Sequence, residues 1–465
     1  MQPATRSGAS CIYPLCFLPS ALALTDVMVK VITLFLASTA VVAAQSVSQV
    51  HLALTNRALD CAHGVSVNFA SESAEPFTID FAGGDQEASV TTTSSNYTVS
   101  NSGKTYESPN LHTANLCDLA PSTEYSYSIN GGDAFSFVSP PGASEDPTVI
   151  GLVGDADLDA GAFDQLLTPV QGYTTQAIVI VGDYSYANGN HKIWDEWYNL
   201  QQPIFSKIPS IGINGNHEII QSSKDWAQEN YVGYINRAAT PITEDNAAKL
   251  RTYYSVNIGL VHVALVDDYV GVTAGVGSDT WLAERELQLE WLQTDLAQVN
   301  RDETPYVVVL KHNPYYNTYQ DHRCQCSQDI FAIDDPEACW SGNYVQATAK
   351  SEPQCGLQAK LEDVYAQFKV DVVFSGHVHG YERSDYVYKN QIDRENGSVY
   401  ITTGAGGRGH AGARIENVPE WNLFAEPAKF GATRLIATRE KMQVLWYTND
   451  NLDEPTDSVD VYMRE

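Results

Sequence analysis

Two rhythms of apolar and polar residues divide this chain. From Ser48 to Pro140, short runs alternate with the two-residue period of half-buried strands: SQVHLALT, VSVNFAS, FTIDFAG, YSYSING and AFSFVSP. Gly83-Gly84 and Gly131-Gly132 separate them as turns, so the pattern predicts a small β-sandwich. The Pro-rich SPPGASEDP from Ser139 marks its end. Beyond it, apolar strand-like runs take turns with helical ones. Leu282, Leu289, Leu292, Leu296 and Val299 share one face of a predicted helix, and Leu357, Leu361, Val364 and Phe368 share another. Strands alternating with helices predict an α/β layered domain. The acidic NDNLDEPTDSVDV near the C-terminus predicts a solvated loop and a final strand.

The N-terminus follows neither rhythm. From Met28 the chain reads MVKVITLFLASTAVVAAQS. Lys30 precedes an apolar run from Val31 to Val42, and Val42 and Ala44 fit a signal-peptidase site before Gln45. The run is shorter than the about 20 apolar residues of a membrane span. The pattern predicts a presequence over residues 1–44, with Met28 as the natural start, and a secreted product without a stable membrane span. The β domain then occupies residues 45–145 and the α/β domain residues 146–465.

Composition sharpens this picture. With 465 residues, 43% of them hydrophobic, the chain can bury a large core in two domains. Against 57 acidic residues stand 27 Lys and Arg, a net charge of −30. Such a surface repels nucleic acid and anionic membranes, which argues against either as a partner. A phosphate substrate would need strong local positive charge, which bound cations supply. Setting aside Cys11 and Cys16 in the presequence leaves Cys61, Cys117, Cys324, Cys326, Cys339 and Cys355. An even number in an exported chain predicts disulfides of open connectivity; a zinc site in the Cys324–Cys355 cluster is the alternative. Asn96-Tyr-Thr and Asn396-Gly-Ser are candidate glycan acceptors.

The candidate chemistry lies where strands end. TVIGLVGDAD delivers Asp155, and AIVIVGDYSY delivers Asp183 and Tyr186. PSIGINGNHE delivers Asn216 and His217, YVVVLKH delivers His312, and DVVFSGHVH delivers His377 and His379. One Gly-Asp after a strand is ordinarily a turn. Five such ends in order point elsewhere, because ligands bind at the carboxyl ends of strands in an α/β sheet. Glycine before Asp155, Asp183, Asn216 and His377 allows close backbone approach there. Carboxylates and a phenol are hard donors, while imidazole and an amide suit a divalent ion.

GDYSYA, GNHE, HNPYYN and GHVHGYERS together resemble the purple acid phosphatase branch of the calcineurin-like metallophosphatases, in its long plant-type form. The resemblance spans residues 46–465. It implies an N-terminal fibronectin type III-like β-sandwich followed by a four-layer α/β/β/α metallophosphatase domain. It implies a secreted acid phosphatase that attacks small phosphomonoesters with a metal-bound hydroxide at a binuclear centre. Fe(III) would sit on Asp155, Tyr186 and His379, Asp183 would bridge, and Fe, Zn or Mn as the divalent ion would take Asn216, His312 and His377. His217 and His322 match positions that orient phosphate or protonate the leaving group. The oligomeric state stays open, with a homodimer as one alternative. A phosphodiesterase or nucleotide pyrophosphatase on the same centre, and a non-catalytic surface protein, are the competing readings. Two departures stand out. Asp157 in GDAD replaces a glycine, which predicts a crowded turn or added negative charge near the iron. Asp321-His322 replaces a histidine pair, which predicts repulsion of a dianionic phosphate. The cysteine-rich segment that follows predicts a disulfide-bound insert at the mouth of the site.

Overall fold

The computed structural model describes residues 46–464 except 57–58, 102, 144–146, 160 and 344–351. The presequence expectation, with Met28 and Ala44, lies outside the described residues. From Ala44 onward the chain forms one compact unit.

Two mixed sheets carry the domain. The first places Thr148–Val153, Ala177–Val181 and Ser210–Ile213 side by side and parallel. The second does the same with Val261–Leu265, Tyr306–Leu310, Val372–Ser375 and Ser398–Thr403. Every residue of Thr148–Val153, Ala177–Val181, Ser210–Ile213 and Tyr306–Leu310 is buried, as expected of parallel strands covered on both faces. Leu152, Val179, Ile211, Val308, Phe374 and Ile401 belong to the core shared by the two sheets. The helix Lys192–Phe205 packs Trp194, Trp197 and Phe205 onto the first sheet with Ile178 and Ile180. The helices Asp279–Leu296 and Gln358–Gln367 pack Leu289, Leu292, Leu361 and Val364 onto the second with Val307 and Val309. Among the described residues no helix is long and apolar enough to cross a membrane.

The helix Asp279–Leu296 buries Leu289, Leu292 and Leu296 of its expected face and adds polar residues to it. Leu282 and Val299 are only partly buried, while Trp281, Arg285 and Gln288 go inside. Arg285 lies 4.2 Å from the Trp281 ring and 4.6 Å from the Trp340 ring, and Gln288 pairs with the backbone of Asp267 at 2.8 and 2.9 Å. These polar partners widen the buried face beyond the leucine stripe, because a buried polar group must be paired.

The N-terminal region is β-rich, and its strands include Val47–Leu54, Val65–Ser71, Thr78–Gly83, Glu124–Ile129 and Ala134–Val138. Val50, Val67, Phe69, Ile79, Phe81, Tyr125 and Tyr127 fill its core. Its strand Val47–Leu54 joins the first sheet in parallel with Ser210–Ile213, pairing Ala53 with Ser210. Buried Arg237 reinforces the join, donating to Gln49 at 3.1 Å, Tyr97 at 2.6 Å and Asp195 at 2.9 Å. Disulfides link Cys61 to Cys117, Cys324 to Cys355 and Cys326 to Cys339, so the zinc alternative for the cluster is overturned: its sulfurs are spent on one another.

Candidate metal centre

Each strand that the sequence singled out stops just short of its ligand-type residue, and the five stops converge. Tyr186 donates its hydroxyl to Asp155 Oδ1 at 3.1 Å and lies 3.1 Å from His379 Nε2. Asn216 Oδ1 lies 3.1 Å from His312 Nε2 and 2.9 Å from His377 Nδ1. Asp183 lies beside this second group, its Oδ2 3.3 Å from His312 Nε2. The structure therefore brings together all seven candidate ligands. Its backbone stores strain there: Asp155, Asp157, Asp183, Tyr186 and His377 take φ between +51° and +67°, at a cost of about 1 kcal/mol or more each. Glycine makes the approach possible. A Cβ at Gly376 would lie 2.6 Å from Asp155 Oδ2, and one at Gly215 would strike Asp183 Oδ1.

The ring nitrogens are sorted by their outer partners. His312 Nδ1 donates to the Val181 carbonyl at 2.8 Å, which leaves Nε2 as its free donor atom toward Asp183 and Asn216. His377 is turned the other way. Its Nε2 faces Glu352 Oε2 at 3.3 Å, so Nδ1 faces inward. Burial raises Asp155 well above the usual carboxylate range, and burial with the charges of Asp155 and Asp183 raises Tyr186 well above an ordinary tyrosine. Burial also lowers His377 and His379 to about 4. Burial opposes charge on His312 too, but Asp183 beside it wins and lifts it to about 10. Carboxylates, a phenol, an amide and inward-facing imidazole nitrogens crowded in a buried site make a donor set that fits a pair of cations.

The remaining candidates surround this cluster. His217 hydrogen-bonds through Nδ1 to Asn188 at 2.6 Å, lies 4.1 Å from the Tyr186 ring and keeps its Nε2 3.9 Å from Asp183. His322 packs on His377 with ring centroids 4.0 Å apart and leaves its side chain 40% exposed, open to a substrate. Exposed Asp321 lies against the backbone at Gly412, on the rim. Asp157 pairs with Arg408, so its charge is compensated. Asn96 is exposed, and the Asn396 amide donates to Asp393 at 3.0 Å.

Two carboxylates escaped the sequence reading. Glu218, inside GNHE itself, accepts from the backbone of Asp183 at 2.9 Å, Tyr184 at 3.0 Å and Gly215 at 2.8 Å. It stitches two ligand turns together. Glu352 accepts from His322 Nδ1 at 2.8 Å through one oxygen and faces His377 through the other. Burial would raise it, but His322 and His377 hold it down to about 2, so this tether stays ionised through the acid range. Glu352→Gln should therefore lower metal affinity or activity by about 10–100-fold, as loss of a ligand's outer partner does. His322→Ala should lower kcat while metal content stays near normal. Metal analysis and kinetics on both variants check this; full activity of Glu352→Gln would make the contact incidental.

The fold and site define a calcineurin-like metallophosphoesterase: the family model of that description, Calcineurin-like phosphoesterase, matches residues 149–381. A second model, Iron/zinc purple acid phosphatase-like protein C, matches residues 397–458. The chain belongs to the purple acid phosphatases. It is 30% identical over 368 residues to purple acid phosphatase 1 of Ipomoea batatas, covering 74% of this chain and 69% of that one. It is 30% identical over 350 residues to purple acid phosphatase 22 of Arabidopsis thaliana, covering 74% and 70%. Its fold is similar to that of purple acid phosphatase PPD1 from yellow lupin, with a TM-score of 0.68 at 19% identity over 90% of this chain and 74% of that one.

Proposed function

We propose that this enzyme is a secreted acid phosphatase that hydrolyses small phosphomonoesters at an Fe(III)–M(II) pair, M being Fe, Zn or Mn. The observation that carries the reading is the division of the donors: Asp155, Tyr186 and His379 form one group, Asn216, His312 and His377 the other, and Asp183 lies beside the second. The hard anionic group would hold Fe(III), the second group the divalent ion, and Asp183 would bridge them. Bound, such a pair makes hydroxide available at low pH and neutralises phosphoryl oxygens. His217, fixed by Asn188, orients the phosphoryl group beside Tyr186. His322, anchored through Nδ1 by Glu352, offers its other ring nitrogen to protonate the departing alkoxide. Glycans at Asn96 and Asn396 and a fibronectin type III-like N-terminal domain accompany this reading, which takes the chain from Met28 onward as an exported precursor.

The test is metal analysis of the purified protein with a paired assay. A phosphomonoester and a phosphodiester of the same leaving group are compared near pH 5. One iron and one divalent ion per chain, with faster turnover of the monoester, is the expected result. Faster turnover of the diester would favour the phosphodiesterase alternative.

A further inference from the structure

The loop after the strand Ser398–Thr403 reads GAGGRGHAG, and it wraps the first ligand turn. Gly406 N donates to the Gly154 carbonyl at 3.0 Å, Arg408 N to the Asp155 carbonyl at 2.9 Å, and Ala411 N to the His379 carbonyl at 2.6 Å. The loop that carries Arg408 is thus tied to two of the candidate ligand turns, at Gly154-Asp155 and at His379. The Arg408 guanidinium lies over the Tyr186 ring, 4.5 Å from the centroid, and pairs through Nη1 with Asp157 Oδ2. The Arg408 side chain is 41% exposed and the Asp157 side chain 24%.

This arrangement gives the Asp157 departure a purpose. Asp157 occupies a left-handed backbone position, φ +55°, that glycine would fill without strain. Its carboxylate holds Arg408 in place across the tyrosine ring. A guanidinium carries five N–H donors, and Asp157 accepts from one. In a chain of net charge −30, a half-exposed cation fixed at the edge of the metal-ligand cluster is placed to meet an anionic substrate.

We infer that Arg408 contacts the substrate phosphate and selects doubly charged monoesters over singly charged diesters, with Asp157 as its positioning residue. The inference rests on the phosphatase reading above. A phosphomonoester carries close to two negative charges above its second pKa of about 6, and a diester carries one. An arginine contact rewards the extra charge and the additional terminal oxygen.

The experiment uses the full-length, metal-loaded protein and its variants Arg408→Ala, Arg408→Lys and Asp157→Asn. Each is assayed on a monoester and a diester of one leaving group at pH 7, and inorganic phosphate binding is measured by equilibrium dialysis. In Arg408→Ala, kcat/KM on the monoester should fall about tenfold or more, mostly through KM, with less than about a threefold fall on the diester. The Kd for inorganic phosphate should rise in parallel. Arg408→Lys should recover part of the loss, since it keeps the charge without the fork. Asp157→Asn should weaken phosphate binding and lower kcat/KM on the monoester in the same direction as Arg408→Ala but by less, because the guanidinium loses the carboxylate that holds it across the Tyr186 ring. Equal losses on both esters with an unchanged phosphate Kd would overturn the inference. So would a change confined to the visible spectrum, which would make Arg408 a prop for Tyr186. A wild type that hydrolyses neither ester would sink the phosphatase reading, while the dialysis would still decide whether Arg408 binds phosphate.

Discussion

Asp183→Asn should abolish the binuclear centre and lower kcat by about 10⁴-fold or more. Both of its oxygens are committed: Oδ2 lies 3.3 Å from His312 Nε2, and Oδ1 accepts from the His217 backbone at 2.9 Å. The amide keeps the shape and removes the charge that would join two cations. The metal-free protein should register the change as well. Burial would raise the Asp183 carboxyl, but His312, His217 and His377 hold it well below the usual range. His312 is correspondingly lifted to about 10. A depressed carboxylate adds stability that is present above its unfolded pKa and is lost as pH falls through its folded one. A raised histidine adds stability that is complete below its unfolded pKa of about 6.5 and is lost as pH rises toward 10. The metal-free wild type should therefore exceed metal-free Asp183→Asn most clearly near pH 5–6, with the gap narrowing toward pH 10. Thermal melts across that range, with metal analysis, check both halves. Retention of two metals per chain in Asp183→Asn would move the bridge to another residue.

The cluster of candidate residues was legible in the sequence because Asp155, Asp183, Asn216, His312 and His377 each come within three residues of the end of a buried strand, so the apolar run fixes where the side chain emerges. Residues that serve the site from a distance could not be read this way. Glu352 lies 30 positions from His322, and the disulfide Cys324–Cys355 closes the path that brings the two together. Cysteine content announced a disulfide insert, but pairing is a property of the folded chain. Arg408 sits in a glycine-rich loop with no period, and its partner Asp157 is 251 residues away. Asp157 accordingly looked like uncompensated charge beside the centre. SPPGASEDP reads as a boundary after the β region, and no apolar pattern reveals that Ala53 pairs with Ser210, which the register of the folded chain decides. Periodicity found Leu289, Leu292 and Leu296 on the buried face of Asp279–Leu296 but not that face's polar members. It scores leucines, and it has no means of weighing Arg285 between two tryptophan rings or Gln288 on the Asp267 backbone.

Tyr186→Phe should remove the colour of the enzyme. A tyrosine buried beside two carboxylates keeps its proton: burial first, then Asp155 and Asp183, push its hydroxyl well above the ordinary value. A highly charged cation bound at that oxygen reverses this preference, because a bound ion is the largest local charge in its site. The oxygen lies 3.1 Å from both Asp155 Oδ1 and His379 Nε2, among the donors proposed for Fe(III). Phenolate bound to ferric iron absorbs in the visible, so the wild type should be pink to purple and contain iron. Phenylalanine keeps the ring that packs on His217 and under Arg408, so the fold should survive. The variant should be colourless while Asp155, Asp183 and His379 still retain metal. A visible spectrum and iron analysis of both proteins decide the matter. A coloured variant would assign the absorbing ligand elsewhere. A colourless, iron-free and fully active wild type would leave Tyr186 as a hydrogen-bonded core tyrosine, and the Fe(III) assignment would give way to a pair of divalent ions on the same strand ends.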